Sequence, residues 1–154
     1  MAASTNTSFD TWRAVVTSHA AVMDRVQTAL AAADLPPLSW FEVLWAVKRS
    51  PSGPPRMSDL AERLTLSRGG ITKLVDRLEE AGYLERITCA SDRRSFQAEL
   101  TPAGEKILED MRTVCEGEVE RHLGMLTPDQ ARLVWEALEQ VTASTCVAAD
   151  TPLG

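Results

Sequence analysis

The residues best suited to chemistry in this chain are cations gathered at two tips. Arg68, Gly69, Thr72 and Lys73 fall near the start of a helical pattern over residues 68–81, away from the apolar face of Ile71, Leu74, Val75 and Leu78. Ser67 stands where an N-cap belongs. Small or hydrogen-bonding groups flanked by cations suit duplex DNA, because the free N–H groups of a first helical turn already favour a phosphate. Gly69 and Gly70 read in two ways. Absent side chains let the helix sit close to a groove, or these are tolerated first-turn positions, where glycine costs less than the ~1 kcal/mol of a helix interior. The second tip holds Arg93 and Arg94, with Asp92 beside them and Arg86 on the preceding strand pattern. Arginines on a projecting hairpin can enter a minor groove. The plainer alternative is that Asp92 pairs with Arg94 and braces the turn. The candidate DNA contacts are therefore Ser67, Arg68, Gly69, Gly70, Thr72, Lys73, Arg77, Arg86, Arg93 and Arg94, with Asp92 and Arg94 as the brace.

Other chemistries find less support. There is no G-x-S-x-G, no Gly-rich phosphate loop and no H-E-x-x-H, and the chain has only 2 histidines. No enzyme and no cofactor are expected. Glu79 and Glu80 fall on a solvated helix face. Cys115, Glu118 and His122 share roughly one helix face at spacings of three and four, and with His19 they have zinc-like donor chemistry. Scattered donors of this kind arise by chance, so no metal is expected. Cys115 reads as core and His19 as part of a packed stripe. Cys89, near the hairpin, could be exposed and oxidisable, but nothing around it lowers a thiol pKa.

The elements that must position the two tips follow from periodicity. Residues 9–31 read as one helix, with Phe9, Trp12, Val16, His19, Met23, Val26 and Leu30 at steps of three and four. Asp34-Leu35-Pro36-Pro37 breaks it. Ser39 with Glu42 predicts a capping box for a helix over 40–49, apolar nearly all round. Ser50–Pro55 reads as a loop. Ser58 predicts a cap for a short helix, residues 59–64, and Thr65-Leu66 a turn before Ser67. Gly82 ends the helix 68–81. Residues 83–87 and 96–100 read as two strands around a polar turn, Cys89–Arg94. Thr101-Pro102 starts a helix to 123 that buries Ile107, Leu108, Met111, Val114, Cys115 and Val119. Thr127 and Gln130 cap a last helix burying Leu133, Val134, Ala137, Leu138 and Val141, and the tail from Ala143 is expected to fray.

The chain has 154 residues and a formal net charge of -6, enough for one domain, or one with extensions. Apolar residues at 44% and charged residues at 25% argue against disorder. Net acidity argues against coating nucleic acid by bulk charge. Its distribution matters more. Residues 56–94 hold 8 of the 16 Lys and Arg beside 7 carboxylates, whereas residues 95–154 hold 11 acidic and 4 basic side chains. Cys89, Cys115 and Cys146 are odd in number and widely spaced, which fits a reducing cytosol better than a disulfide framework. Met1–Ser8 shows no secretory pattern, and no uncharged run reaches the ~18 residues of a membrane span. A cytoplasmic protein without membrane contact is expected.

Leu60-Ala61-Glu62-Arg63-Leu64, Ser67, Leu78 through Arg86, Asp92-Arg93-Arg94 and Leu100-Thr101-Pro102-Ala103-Gly104 resemble the MarR family (multiple antibiotic resistance regulators). The Asp-x-Arg hairpin followed by Leu-Thr-x-x-Gly is the most telling part, and the resemblance runs from about residue 10 to 142. The chain departs from the usual pattern at Gly69-Gly70, where polar side chains are common, and at Thr88–Ser91, where wings are often proline-rich. The resemblance implies a mainly α fold with a small β-hairpin wing, a winged helix-turn-helix of α+β class. It implies a recognition helix at 68–81 and a wing at about 84–100. It divides the chain into an N-terminal dimerisation helix (1–35), a DNA-binding domain (36–101), and C-terminal dimerisation helices with a flexible tail (102–154). It further implies a homodimer on a palindromic double-stranded DNA operator, acting as a repressor or an activator, with repressor the first choice. A small aromatic or phenolic ligand would loosen binding from a cleft for which His19, Met23, Trp40, Trp45 and Met111 are the candidates. Some relatives sense oxidants with a reactive cysteine in the first helix, and none lies there. Physical reasoning agrees with a dimer: the stripes of the first and last helices exceed what the central module could cover. Two recognition helices would then lie about one DNA turn apart, ~34 Å. The alternative function is a winged-helix protein-interaction module without DNA binding, which the acidic last third and the bare Gly69-Gly70 leave open.

Overall fold

The computed structural model describes residues 7–64, 67–89 and 92–149, including all of their side chains except those of 68, 89, 92–95 and 145–149. The turn expected at Thr65-Leu66, the hairpin residues Ala90 and Ser91, and the last five residues of the tail lie outside the described residues. The elements are α1 (Ser8–Ala32), α2 (Leu38–Lys48), α3 (Met57–Arg63), α4 (Arg68–Glu80), β1 (Leu84–Cys89), β2 (Asp92–Leu100), α5 (Pro102–Leu123) and α6 (Pro128–Ala149). The expected class, mainly helical with one antiparallel hairpin, is what forms.

Local chemistry sets most boundaries. Thr7 caps α1 reciprocally with Asp10: its hydroxyl accepts from the Asp10 N–H and its own N–H donates to the Asp10 carboxylate, each at 3.1 Å. Hydrogen bonding from Thr7 holds the Asp10 carboxyl below its ordinary pKa. After α1 the chain turns through Asp34 at φ +54°, ahead of Pro36 and Pro37. Ser39 is not the cap of α2. Pro37 takes that place, and the Leu38 N–H is satisfied by the Gln27 amide oxygen at 3.0 Å, so the helix begins before Ser39. Ser58 is likewise inside α3. Arg56 is the N-cap residue, because the Asp59 carboxylate accepts from the Arg56 N–H at 3.1 Å. The other expected caps hold. The Ser67 hydroxyl accepts from Gly70 N–H at 3.1 Å. Thr127 and Gln130 form a reciprocal box at 2.9 and 3.3 Å.

The hairpin pairs Leu84 with Leu100 through to Thr88 with Phe96, and then Cys89 with Asp92. Residues 93–95 are thus extra on β2, a bulge of the kind that re-aims a strand. The expected turn Cys89–Arg94 is correspondingly narrower, since Asp92, Arg93 and Arg94 already belong to β2. The loop read at Ser50–Pro55 lends an edge to this sheet. Ala98 N–H donates to the Pro55 carbonyl at 3.0 Å, the Gln97 amide donates to that of Pro54 at 2.9 Å, and Arg56 bridges Gln97.

Two compact units exist, one ending at Glu118 and one beginning at Val119. The first holds the core: Leu30, Val43, Leu44, Leu60, Ile71, Val75, Leu78, Leu84, Ala98 and Met111 are fully or almost fully buried. Only the C-terminal half of the α1 stripe enters it. Phe9 and Trp12 are 63% and 57% exposed. In the second unit the expected burial fails: Val119, Leu133, Val134, Leu138 and Val141 are all exposed, Leu133 at 60%. Periodicity marks an apolar face, but a face is buried only where another surface meets it. Ala143–Ala149, expected to fray, continues α6. Among the described residues no helix is long and apolar enough to cross a membrane.

Candidate nucleic-acid interface

α3 and α4 are the two helices expected of the helix-turn-helix, and α4 is held by its own apolar face. Ile71, Val75 and Leu78 are buried and Leu74 half-buried, which leaves Gly69, Thr72, Lys73 and Arg77 exposed along the opposite side. No acidic residue occupies the first turn, so the positive end of the helix dipole and its unpaired N–H groups stay available to an anion. Ser67 spends its hydroxyl on Gly70 N–H and remains exposed. A Cβ placed on Gly69 would meet nothing within 4 Å, so no neighbour within the chain demands glycine there. Among the described residues, Lys73 and Arg77 have no carboxylate partner.

Gly82 ends α4 at φ +76°, with the Tyr83 N–H returning to the Leu78 carbonyl at 2.9 Å. The start of α5 locks onto this turn. The Thr101 hydroxyl donates to the Gly82 carbonyl at 2.6 Å and accepts from Gly104 N–H at 3.0 Å, while Thr101 N–H donates to the Tyr83 carbonyl at 3.1 Å. The end of α4, the start of β1 and the first turn of α5 are therefore one hydrogen-bonded joint, from which the hairpin projects.

Arg86 is placed differently from Lys73 and Arg77. Strand alternation puts it on the same face as buried Leu84, and there its guanidinium spans two carboxylates of α4. One nitrogen reaches Asp76 at 2.5 Å and the other reaches Glu79 at 2.6 Å. Its side chain is 21% exposed. No helical or strand period pairs a residue of β1 with residues of α4. The available signal was a pair of acids three apart on α4, followed by a lone arginine. Of the other hairpin candidates, the backbones of Asp92, Arg93 and Arg94 lie in β2, and their side chains, like that of Arg68, lie outside the described ones.

The five ligand candidates have separate settings. His19 is exposed, Met23 is half-buried against the core and Met111 is buried. Trp40 meets Tyr83 edge-on at 6.1 Å. Trp45 stacks on Phe41 at 5.8 Å and lies under the Arg49 guanidinium at 5.6 Å. It borders an open depression of about 230 Å³ with Lys48, Arg49, Glu105, Leu108 and Arg112. Lys48 pairs with Glu105 there at 2.6 Å. Arg112 pairs with Glu109 and Glu116 at 2.6 Å each, which holds the Glu109 carboxyl below its ordinary pKa. Cys115 is buried, and burial pushes its thiol up to about 11. Among the described residues no three His, Cys, Asp or Glu side chains come together as metal ligands.

Residues 33–95 match the sequence profile of the MarR family. The uncharacterized HTH-type transcriptional regulators YfiV and YkoM of Bacillus subtilis are 34% identical over 83 residues and 32% over 78. These alignments cover 54% and 51% of this chain, and 52% and 51% of the relatives. The chain thus spans about half the length of the curated relatives it matches. Similarity of structure extends further. AbsC, a MarR family transcriptional regulator from Streptomyces coelicolor, superposes with a TM-score of 0.79 at 25% identity, over 90% of this chain and 95% of that one. Sco3205, a MarR family regulator from the same organism in complex with DNA, gives 0.78 at 26% identity, over 87% and 84%.

Proposed function

We propose that this chain, whose residues 33–95 match the MarR family profile and whose fold matches MarR family regulators, is itself a transcriptional regulator of that family that binds a palindromic operator as a homodimer and represses transcription. The observation that carries this reading is the exposed face of α4. Gly69, Thr72, Lys73 and Arg77 stand clear of the core, on a helix whose first turn carries no acid and presents free N–H groups. In this reading Ser67, Arg68, Gly69, Gly70, Thr72, Lys73 and Arg77 face the major groove and its phosphates. The wing carries Arg93 and Arg94 toward the minor groove, with Asp92 bracing Arg94.

Dimerisation is supported by uncovered apolar surface. Phe9, Trp12 and Val16 on α1, and Leu133, Val134, Leu138 and Val141 on α6, need a cover that a second copy supplies by two-fold symmetry. The depression beside Trp45 offers an aromatic wall and an apolar floor, Leu108, to a small aromatic or phenolic effector that releases the operator.

The test is binding of the full chain to its own upstream duplex across a salt series. Specific binding with a steep dependence on salt is expected, and Lys73→Ala should lower the slope by about one if Lys73 meets a phosphate. Absence of salt-sensitive affinity for any duplex selected from random sequence overturns the reading and leaves the protein-interaction module. Repeating the series with phenolic compounds tests release.

A further inference from the structure

We propose that Arg86 is a positioning residue. By clamping Asp76 and Glu79 of the recognition helix it sets the angle at which the wing leaves α4, and it does not itself hold a phosphate. The inference rests on the reading of this chain as a duplex binder with a wing.

Three observations carry it. First, the guanidinium is already engaged on both sides, at 2.5 and 2.6 Å, by two carboxylates one turn apart. Such a fork is planar and rigid, so it fixes direction as well as distance, which a lysine ammonium does not. Second, the charge is wrong for a phosphate. One arginine between Asp76 and Glu79 leaves a net negative group, and turning Arg86 toward DNA would bare both acids close to the duplex. Third, the clamp lies where leverage is greatest. Arg86 sits two residues beyond Leu84, where β1 leaves the core, and everything distal to it is the hairpin. The other strand is anchored at the same base, by Thr101 just after Leu100, on Gly82 and Tyr83. The joint therefore fixes the base of the wing, and the clamp fixes its tilt.

The clamp makes predictions that a phosphate contact does not. Arg86→Gln in the full chain should weaken operator binding about tenfold, the size expected when one member of a coupled network is lost, with the salt slope unchanged. In an Arg93→Ala/Arg94→Ala background the same substitution should cost less than about twofold, because a wing without its cations has nothing left to misplace. In the free protein, hydrogen exchange at Ile87 and Gln97 should quicken while that of Val75 and Leu78 stays as in the parent. Arg86→Lys should restore little of the affinity. An equal loss in both backgrounds with a slope lowered by about one makes Arg86 a direct phosphate contact and overturns the proposal. Unchanged hydrogen exchange in the hairpin also overturns it, whatever the affinity does. If Arg93→Ala/Arg94→Ala leaves operator binding intact, the wing reading itself fails, a result separate from additivity. Protein lacking salt-dependent duplex binding altogether defeats the function proposed above.

Discussion

Substituting Gly104 by alanine puts the joint beneath the wing to a sharp test. A Cβ on Gly104 would stand 1.9 Å from the Tyr83 carbonyl oxygen, 2.9 Å from its carbon and 3.2 Å from Leu100 Cδ2. The first two obstacles are backbone, so the first turn of α5 must move outward by more than an ångström. That movement strains the Thr101 N–H bond to Tyr83 and the Thr101 hydroxyl bond to Gly82. Overpacking of this kind costs about 1–3 kcal/mol, and each weakened hydrogen bond adds roughly 0.5–1.5 kcal/mol. Helix propensity returns at most ~1 kcal/mol. The net expectation is about 2–3 kcal/mol of destabilisation, a fall in Tm of roughly 4–12 °C for a domain of this size. Gly117, in the same helix, is the internal control. Its added Cβ would meet nothing within 4 Å, so Gly117→Ala should raise Tm, by up to ~1 kcal/mol of propensity. Thermal melts followed at 222 nm, at one fixed protein concentration because association shifts Tm, measure both. A Gly104→Ala melt equal to or above that of the parent refutes the reasoning, since no relaxation that leaves the joint intact removes a backbone contact of 1.9 Å.

Gly69→Ala should leave Tm unchanged or slightly raised, because its Cβ points into open space; a clear loss of operator affinity then favours close groove approach, and full affinity favours the tolerated first-turn reading. Leu138→Asp on α6 should turn a dimer into a monomer by light scattering without altering the helical signal of the isolated chain; a persisting dimer places the interface elsewhere. With Cys89 and Cys146 replaced by serine, Cys115 should react with a disulfide reagent at pH 8 far more slowly in the native protein than when unfolded. A thiol pushed up to about 11 is only about one thousandth thiolate at that pH; fast native reaction contradicts its burial.

What the sequence made legible was chemistry that acts over three or four residues. Ser67 before Gly70, Gly82 after α4, Thr101-Pro102 before α5 and Thr127 with Gln130 were readable because donor and acceptor lie within one turn. Ser39 and Ser58 were misread for the complementary reason: their claims to a cap were overridden by Gln27, eleven residues away from the N–H it satisfies, and by Asp59 acting on Arg56. The same limit hid the clamp, which joins residues seven and ten apart through a turn. That limit also explains why burial was expected for α6 where its apolar face is exposed, because periodicity shows a face without its neighbour. The motif Leu-Thr-x-x-Gly could be recognised before its reason was visible. Thr101 supplies three bonds of the joint and Gly104 the space that lets them close.

The net charge of -6 bears on how such a protein would find DNA. In the proposed dimer two copies double the acidity, so long-range steering toward a polyanion is weak or repulsive, and little non-specific affinity can come from the whole-molecule field. Attraction must arise within about a Debye length, ~8 Å at physiological salt. Along α4, Lys73 lies three residues from Asp76 and six from Glu79, about 4.5 and 9 Å at the helical rise. Phosphates near the N-terminal turns feel Lys73 and the helix dipole most strongly, while Asp76 and Glu79 lie farther along and share the compensating charge of Arg86. A protein organised in this way gains selectivity from weak background binding, because contacts at a matched site are not competed away by contacts everywhere else. The same separation predicts that lowering salt, which lengthens the screening distance toward 30 Å near 0.01 M, lets the acidic field reach the duplex. Log affinity should then bend below the straight line extrapolated from higher salt, and a line that stays straight to 0.01 M would show that the acidic surfaces lie beyond reach of the bound DNA.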